Sequence, residues 1–211
     1  MVVPMTLHLP AVPADLADGI AAIGRFASAR GWVPATSGNF SIRIDRRHAA
    51  ITRSGIDKGN IDRGDLVVIE VDAPLPPGIS AEAPLHAARY RADATVGAIV
   101  HVHTVAATVL SRADAARGNV RLDGFEMHKA LAGITTHESV VNLPIFANDQ
   151  DTAALAERVE ASLARAQGVP AYLLSGHGLY VWGATMADAK RHLEGMEFLL
   201  TCALEERRIH A

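Results

Sequence analysis

Cysteine occurs once in the 211 residues, at Cys202. A lone thiol cannot close an internal disulfide, so the fold must rest on packing, and the chain suits a reducing compartment. Placed in an apolar helical stretch, that thiol is expected to be core packing and not a nucleophile. Aromatic residues are only 5% of the chain, so Ala, Val, Leu and Ile must fill a core drawn from the 49% that is hydrophobic. Charge of one sign is not concentrated anywhere. The formal net charge is −3 with both signs interspersed, which argues against nucleic acid or an anionic membrane as a partner. Long hydrophobic runs are missing as well: the most apolar, Val96 to Leu110, is too short to span a bilayer and carries two histidines. The opening "MVVPMTLHLPAVPADL" lacks the basic start and uninterrupted apolar core of a signal peptide. A soluble, cytoplasmic protein is expected.

What is present is a pattern whose period keeps changing. Residues 14–30 carry apolar positions at helical spacing and stop at Gly31. Residues 39–44 and 49–52 alternate as strands around the turn "DRRH", and residues 65–71 are a third strand. The Pro/Gly-rich stretch 72–80 is a loop, followed by a helix over 81–93 with Ser80 as its cap. Residues 96–103 form a strand, 125–133 a short helix ending at Gly133, and 138–146 another strand. A helix over 150–167, two short strands at 171–176 and 178–183, and a long helix over 185–207 complete the chain. At this length one large domain or two small ones are possible. With no repeat or long linker, the pattern predicts a single α/β domain over residues 14–211, with a central, mainly antiparallel β-sheet flanked by α-helices. Residues 1–13 read as an N-terminal extension.

Three places carry chemistry. In "IVHVHT" (99–104) two imidazoles, His101 and His103, share one face of a strand while Val102 faces away. They can grip one metal ion or be hydrogen-bonded core groups, and the pair alone leaves both readings open. "ATSGNFS" (35–41) and "TRSGIDKG" (52–59) lie at the two ends of one hairpin. Ser37, Gly38, Asn39, Thr52, Ser54 and Gly55 offer hydroxyls, an amide and accessible backbone N–H groups suited to phosphate oxygens, and Lys58 adds charge. Each loop alone is more often an ordinary turn, and the pair at the two ends of one hairpin is a better signal than either. "SGHG" adds His177 between two glycines that let the backbone come close to whatever the imidazole holds. Three neutral imidazoles with an open position form the ligand set of a catalytic zinc site. His86, His128, His137 and His192 lack such framing.

In this order, "TSGNFS", "TRSG", "SAE", "HVHT" and "SGHG" resemble the class II aldolase/adducin family of zinc-dependent sugar-phosphate enzymes. The resemblance spans about residue 15 to residue 207. "FEMHKALAG", "FANDQD", "HGLYVWG" and "RHLEGMEFLL" are similar to a dehydratase branch of that family acting on a ketose 1-phosphate. Two departures stand out: Val102 where Thr is frequent, and Ser175 where Arg is frequent. The resemblance implies one Zn2+ per subunit held by His101, His103 and His177, a sugar-phosphate substrate, and a homotetramer with active sites near subunit interfaces. It implies Glu126 as the catalytic acid/base and Glu82 as a second carboxylate near the metal. An aldolase or 4-epimerase on a related ketose phosphate is the runner-up. A non-catalytic adducin-like module would be expected to have lost metal ligands that are present here.

Overall fold

The computed structural model describes residues 9–165 and 168–210. Most of the expected extension at 1–13 and the last two residues of the expected 150–167 helix lie outside that range. Eight strands form one sheet: β1 (Asn39–Arg43), β2 (His48–Thr52), β3 (Leu66–Glu70), β4 (Ala98–Val102), β5 (Asn119–Leu122), β6 (Val141–Phe146), β7 (Ala171–Leu174) and β8 (Gly178–Gly183). Their order is β3-β2-β1-β4-β8-β7-β6-β5. Every neighbouring pair is antiparallel except β6 with β7. The expected mainly antiparallel α/β architecture is the one found.

The helices are α1 (Ala14–Ala29), α2 (Ala83–Ala92), α3 (Val105–Ala113), α4 (Thr152–Leu163) and α5 (Met186–Ile209). Strand alternation divides the core into two layers. Phe40, Ile42, Val100, Val102, Leu179 and Val181 face α1, α3 and α5, where Ile20, Leu110, Leu193 and Met196 meet them. Ile51, Ile69, Ile99, Tyr172 and Tyr180 face the opposite way, toward Leu85 and Tyr90 of α2 and Leu155 and Val159 of α4. His101 shares the parity of Ile99, so its imidazole enters this second layer. Among the described residues, no helix is long and apolar enough to cross a membrane.

The structure corrects several expectations. Helix α3 and strand β5 were not anticipated; the apolar run 96–110 is in fact a strand and a helix divided at Thr104, whose side chain accepts from the Ala107 N–H and caps α3. Residues 126–130 make a 3-10 turn and not an α-helix. The cap position of α2 falls at Glu82, which makes no side-chain bond there; Ser80 lies two residues earlier, and its hydroxyl accepts from the Glu82 N–H at 3.3 Å and from Asn39 Nδ2 at 3.2 Å. Cys202 is only half-buried, and burial pushes its thiol up, which keeps it protonated. His86, which lacks the glycine framing of His177, is fully buried in α2.

Candidate metal centre

His101 sits in β4, between Asn39 of β1 and Tyr180 of β8 in the strand register. Its ring stacks on Tyr180 with centroids 3.9 Å apart, and Tyr180 stacks on Tyr172 at 4.8 Å, so the first imidazole has a flat aromatic floor. His101 Nδ1 lies 3.0 Å from the Leu179 carbonyl oxygen. A carbonyl only accepts, so Nδ1 carries the proton and Nε2 keeps its lone pair. His103 lies one residue past β4, and its N–H donates to the Trp32 carbonyl at 2.9 Å. His177 occupies the turn between β7 and β8, and its Nδ1 is 3.2 Å from Asn148 Oδ1. The turn can reach β4 because residue 178 is glycine: a Cβ there would stand 2.3 Å from the Val102 carbonyl oxygen.

The three Nε2 atoms therefore converge. His103 Nε2 is 2.8 Å from that of His101 and 3.1 Å from that of His177. Glu82, at the start of α2, completes the group: Oε1 is 2.8 Å from His177 Nε2 and Oε2 is 3.4 Å from His101 Nε2. One ligand atom from each of the four residues lies within 4.8 Å of all the others. Lone pairs pointed at one another at such distances repel unless a cation stands among them, so this nitrogen and oxygen set fits a divalent metal. Burial, the largest cause, pushes His103 down to about 3, which leaves it neutral and able to ligate. Burial of Glu82 opposes its ionisation, but His101 and His177 hold its carboxyl well below the usual range. Asn39 Nδ2 donates to Glu82 Oε2 and fixes the carboxylate.

This group opens into a cleft of about 280 Å³. Ser37, Gly38, Asn39, Ser54 and Gly55 line it together with Glu82, His103 and His177, so both hairpin loops face the metal ligands. Ser37 Oγ is buried and has no partner among the described residues, a donor available to a ligand. At Gly38, φ is +73° and a Cβ would stand 2.5 Å from the His101 carbonyl oxygen, so only glycine lets this loop lie against β4. Two of the expected phosphate residues do not line the cleft. Thr52 is fully buried and its Oγ1 accepts from the Phe40 N–H at 3.1 Å. Lys58 is buried beneath the loops, with Nζ bonded to the Thr36 and Ile56 carbonyls. Residues whose role in the site was not legible in the sequence also line the cleft, Ser80, Asn148 and Gln150 among them, together with Thr36 of the first loop. The polar cluster "NDQD" just after β6 was the signal for Asn148 and Gln150.

Glu126 stands apart. Its side chain is 72% exposed and pairs with Lys129 Nζ at 2.5 Å, with His137 Nδ1 at 3.8 Å. The Lys129 bond holds its carboxyl below the usual range. It does not line the cleft of its own chain.

The sequence profile of the Class II Aldolase and Adducin N-terminal domain matches residues 18–204. The chain belongs to the class II aldolase and adducin family. It is 52% identical over 193 residues to a methylthioribulose-1-phosphate dehydratase of Parvibaculum lavamentivorans, covering 92% of this chain and 95% of that one. It is 48% identical over 214 residues to a protein of the same name from a Bradyrhizobium species, covering 97% and 99%. Among solved structures of the family, L-fuculose-1-phosphate aldolase from Thermus thermophilus superposes with a TM-score of 0.76 at 26% identity, over 93% of this chain and 97% of that one.

Proposed function

We propose that the protein is a zinc-dependent dehydratase, converting 5-methylthioribulose 1-phosphate to 2,3-diketo-5-methylthiopentyl 1-phosphate in methionine salvage. The observation that supports this most is the convergence of three imidazoles and a carboxylate on one cleft with two donor-rich loops. The two relatives about half identical to the chain, both methylthioribulose-1-phosphate dehydratases, make the substrate specific.

His101, His103 and His177, with Glu82 beside them, would hold the ion, and a nitrogen and oxygen donor set of this kind suits zinc. Bound there, a Lewis acid lowers the cost of negative charge on the C2 and C3 oxygens of the ketose. The chain's own groups do the remainder. Ser37 Oγ, Ser54 and the backbone N–H groups around Gly38 and Gly55 hold the phosphate, with Lys58 supplying positive charge from behind. Asn39 keeps Glu82 oriented. Glu126 takes the C3 proton, which is acidic because the C2 ketone is adjacent, the C4 hydroxyl leaves as water with a proton from an acid, and the C3–C4 enol left behind tautomerises to the C3 ketone of the diketone. The exposure of Glu126 on its own chain supports a place of action in the cleft of a neighbouring copy. This fits a homotetramer with active sites between subunits. Residues 14–211 then form the catalytic unit, with 1–13 as an extension, and the lone free cysteine suits the cytoplasm.

The test is incubation of the zinc-loaded protein with methylthioribulose 1-phosphate, following diketone against aldehyde. Diketone formation supports the dehydratase. Aldehyde release would assign the aldolase reading, which the likeness to L-fuculose-1-phosphate aldolase favours.

A further inference from the structure

We propose that His192 and Gly195 of α5 are positioning residues for the segment that carries Glu126. Both belong to the stretch "RHLEGMEFLL", to which the reaction above gives no role. His192 is 2% exposed. Its Nδ1 lies 2.7 Å from the Trp182 carbonyl oxygen in β8, so that nitrogen carries the proton. Its Nε2 therefore has the lone pair, and it accepts from the Ala132 N–H at 3.2 Å. One neutral imidazole thus bolts the central sheet to the chain just after the 126–130 turn. Burial pushes His192 below its ordinary value and so favours this neutral form, with the Trp182 carbonyl bond and Asp188 acting against it and Arg191 in the same direction.

Gly195 provides a second, independent hold. A Cβ there would stand 2.6 Å from Ala130 Cβ, so the turn rests directly on the helix backbone. The two contacts grip residues 130 and 132, on either side of Leu131, which is 1% exposed in the core. Glu126 itself makes ion pairs only with Lys129 and His137 among the described residues. An exposed group that must reach into another site takes its precision from a buried base, and small misplacement of such a group costs rate far more than binding.

The inference rests on Glu126 being the acid/base, and the test separates the two. His192→Phe fills the space with neither bond. His192→Asn reaches only the Trp182 carbonyl, and His192→Gln reaches only the Ala132 N–H. With the zinc-loaded enzyme and methylthioribulose 1-phosphate, the Gln variant should keep kcat within about threefold, while the Asn and Phe variants lose about tenfold or more. KM and zinc content should stay near wild type in all three. Gly195→Ala should give the same signature from the other contact. Amide hydrogen exchange at Ala132 should accelerate in the Asn and Phe variants and not in the Gln variant. Equal losses in Gln, Asn and Phe, tracking thermal stability, would reduce His192 to core filler. A fully active Glu126→Gln enzyme removes the reading this rests on, whereas unchanged Ala132 exchange in His192→Phe removes the clamp itself.

Discussion

The ammonium of Lys58 donates to the Thr36 carbonyl at 2.8 Å and to the Ile56 carbonyl at 2.9 Å, tying together the two loops that line the cleft. The first loop needs such a tie. Ala35 and Thr36 are both left-handed, at φ 50° and 64°, and each costs on the order of 1–3 kcal/mol unless its surroundings enforce it. Lys58→Met keeps the length and removes both charge-assisted bonds, each worth about 1.5–3 kcal/mol. The first loop should relax and Ser37 should lose its aim. KM for the phosphorylated substrate should rise by about tenfold with kcat much less affected, and the melting temperature should fall. An unchanged KM would show that the loop holds its shape without the lysine.

His101→Ala, His103→Ala and His177→Ala should each lower bound zinc, measured by elemental analysis, while the chain stays folded. Glu82→Gln separates ligand from orienting group. If Glu82 contributes an oxygen to the ion, zinc affinity should fall by more than the roughly 10–100-fold that loss of an orienting group costs. The amide can still pair with Asn39, so loss of that contact does not confuse the result. Full zinc retention in all three histidine variants would rule the centre out.

Much of this centre could be read from the sequence because its parts obey local rules. His101 and His103 are two apart at a strand end, His177 is framed by glycines, and the loops bracket one hairpin. What the sequence hid depends on tertiary contacts. Ser80 has the chemistry of a cap and accepts from the Glu82 N–H, but its hydroxyl also accepts from Asn39, 41 residues away, a contact that only the fold creates. Thr52 and Lys58 have the right chemistry for phosphate, yet strand parity and burial turn them inward. Helix α3 was hidden by composition: the run from Val96 to Leu110 stays apolar across the change from strand to helix, and Thr104 is the one cap that marks it.

Glu126→Gln tests the proton-transfer role. Gln keeps shape and can still accept from Lys129, but it cannot take a proton at neutral pH. Zinc content and substrate affinity should hold, because neither the ligands nor the loops change. Turnover should fall by about a hundredfold or more, the usual worth of a positioned base. Mixed oligomers locate the action: inactive Glu126→Gln subunits combined with inactive His103→Ala subunits should regain activity if one copy's Glu126 serves another copy's cleft. No regain on mixing would place Glu126 in its own chain's reaction or outside the chemistry altogether.

The final prediction concerns Glu197, a carboxyl 3% exposed in α5 that accepts from Thr104 Oγ1 at 3.0 Å. Thr104 follows His103 and caps α3, so this buried acid props the element that leaves the metal centre. Burial pushes Glu197 up to about 7 from its ordinary 4.5. Between those values the folded chain holds a proton that the unfolded chain has already released. The unfolded state then binds fewer protons, so stability falls as pH rises. The contribution is complete below the unfolded value and lost as pH rises through the folded one, in all about 3 kcal/mol. Glu197→Gln accepts the same bond from Thr104 and never ionises. Its stability relative to wild type should therefore increase by about 2–3 kcal/mol between about pH 5 and about pH 8, read from denaturant midpoints. A constant difference across that range would mean that Glu197 stays ionised in the folded protein, with its charge met by a group that this arrangement does not provide.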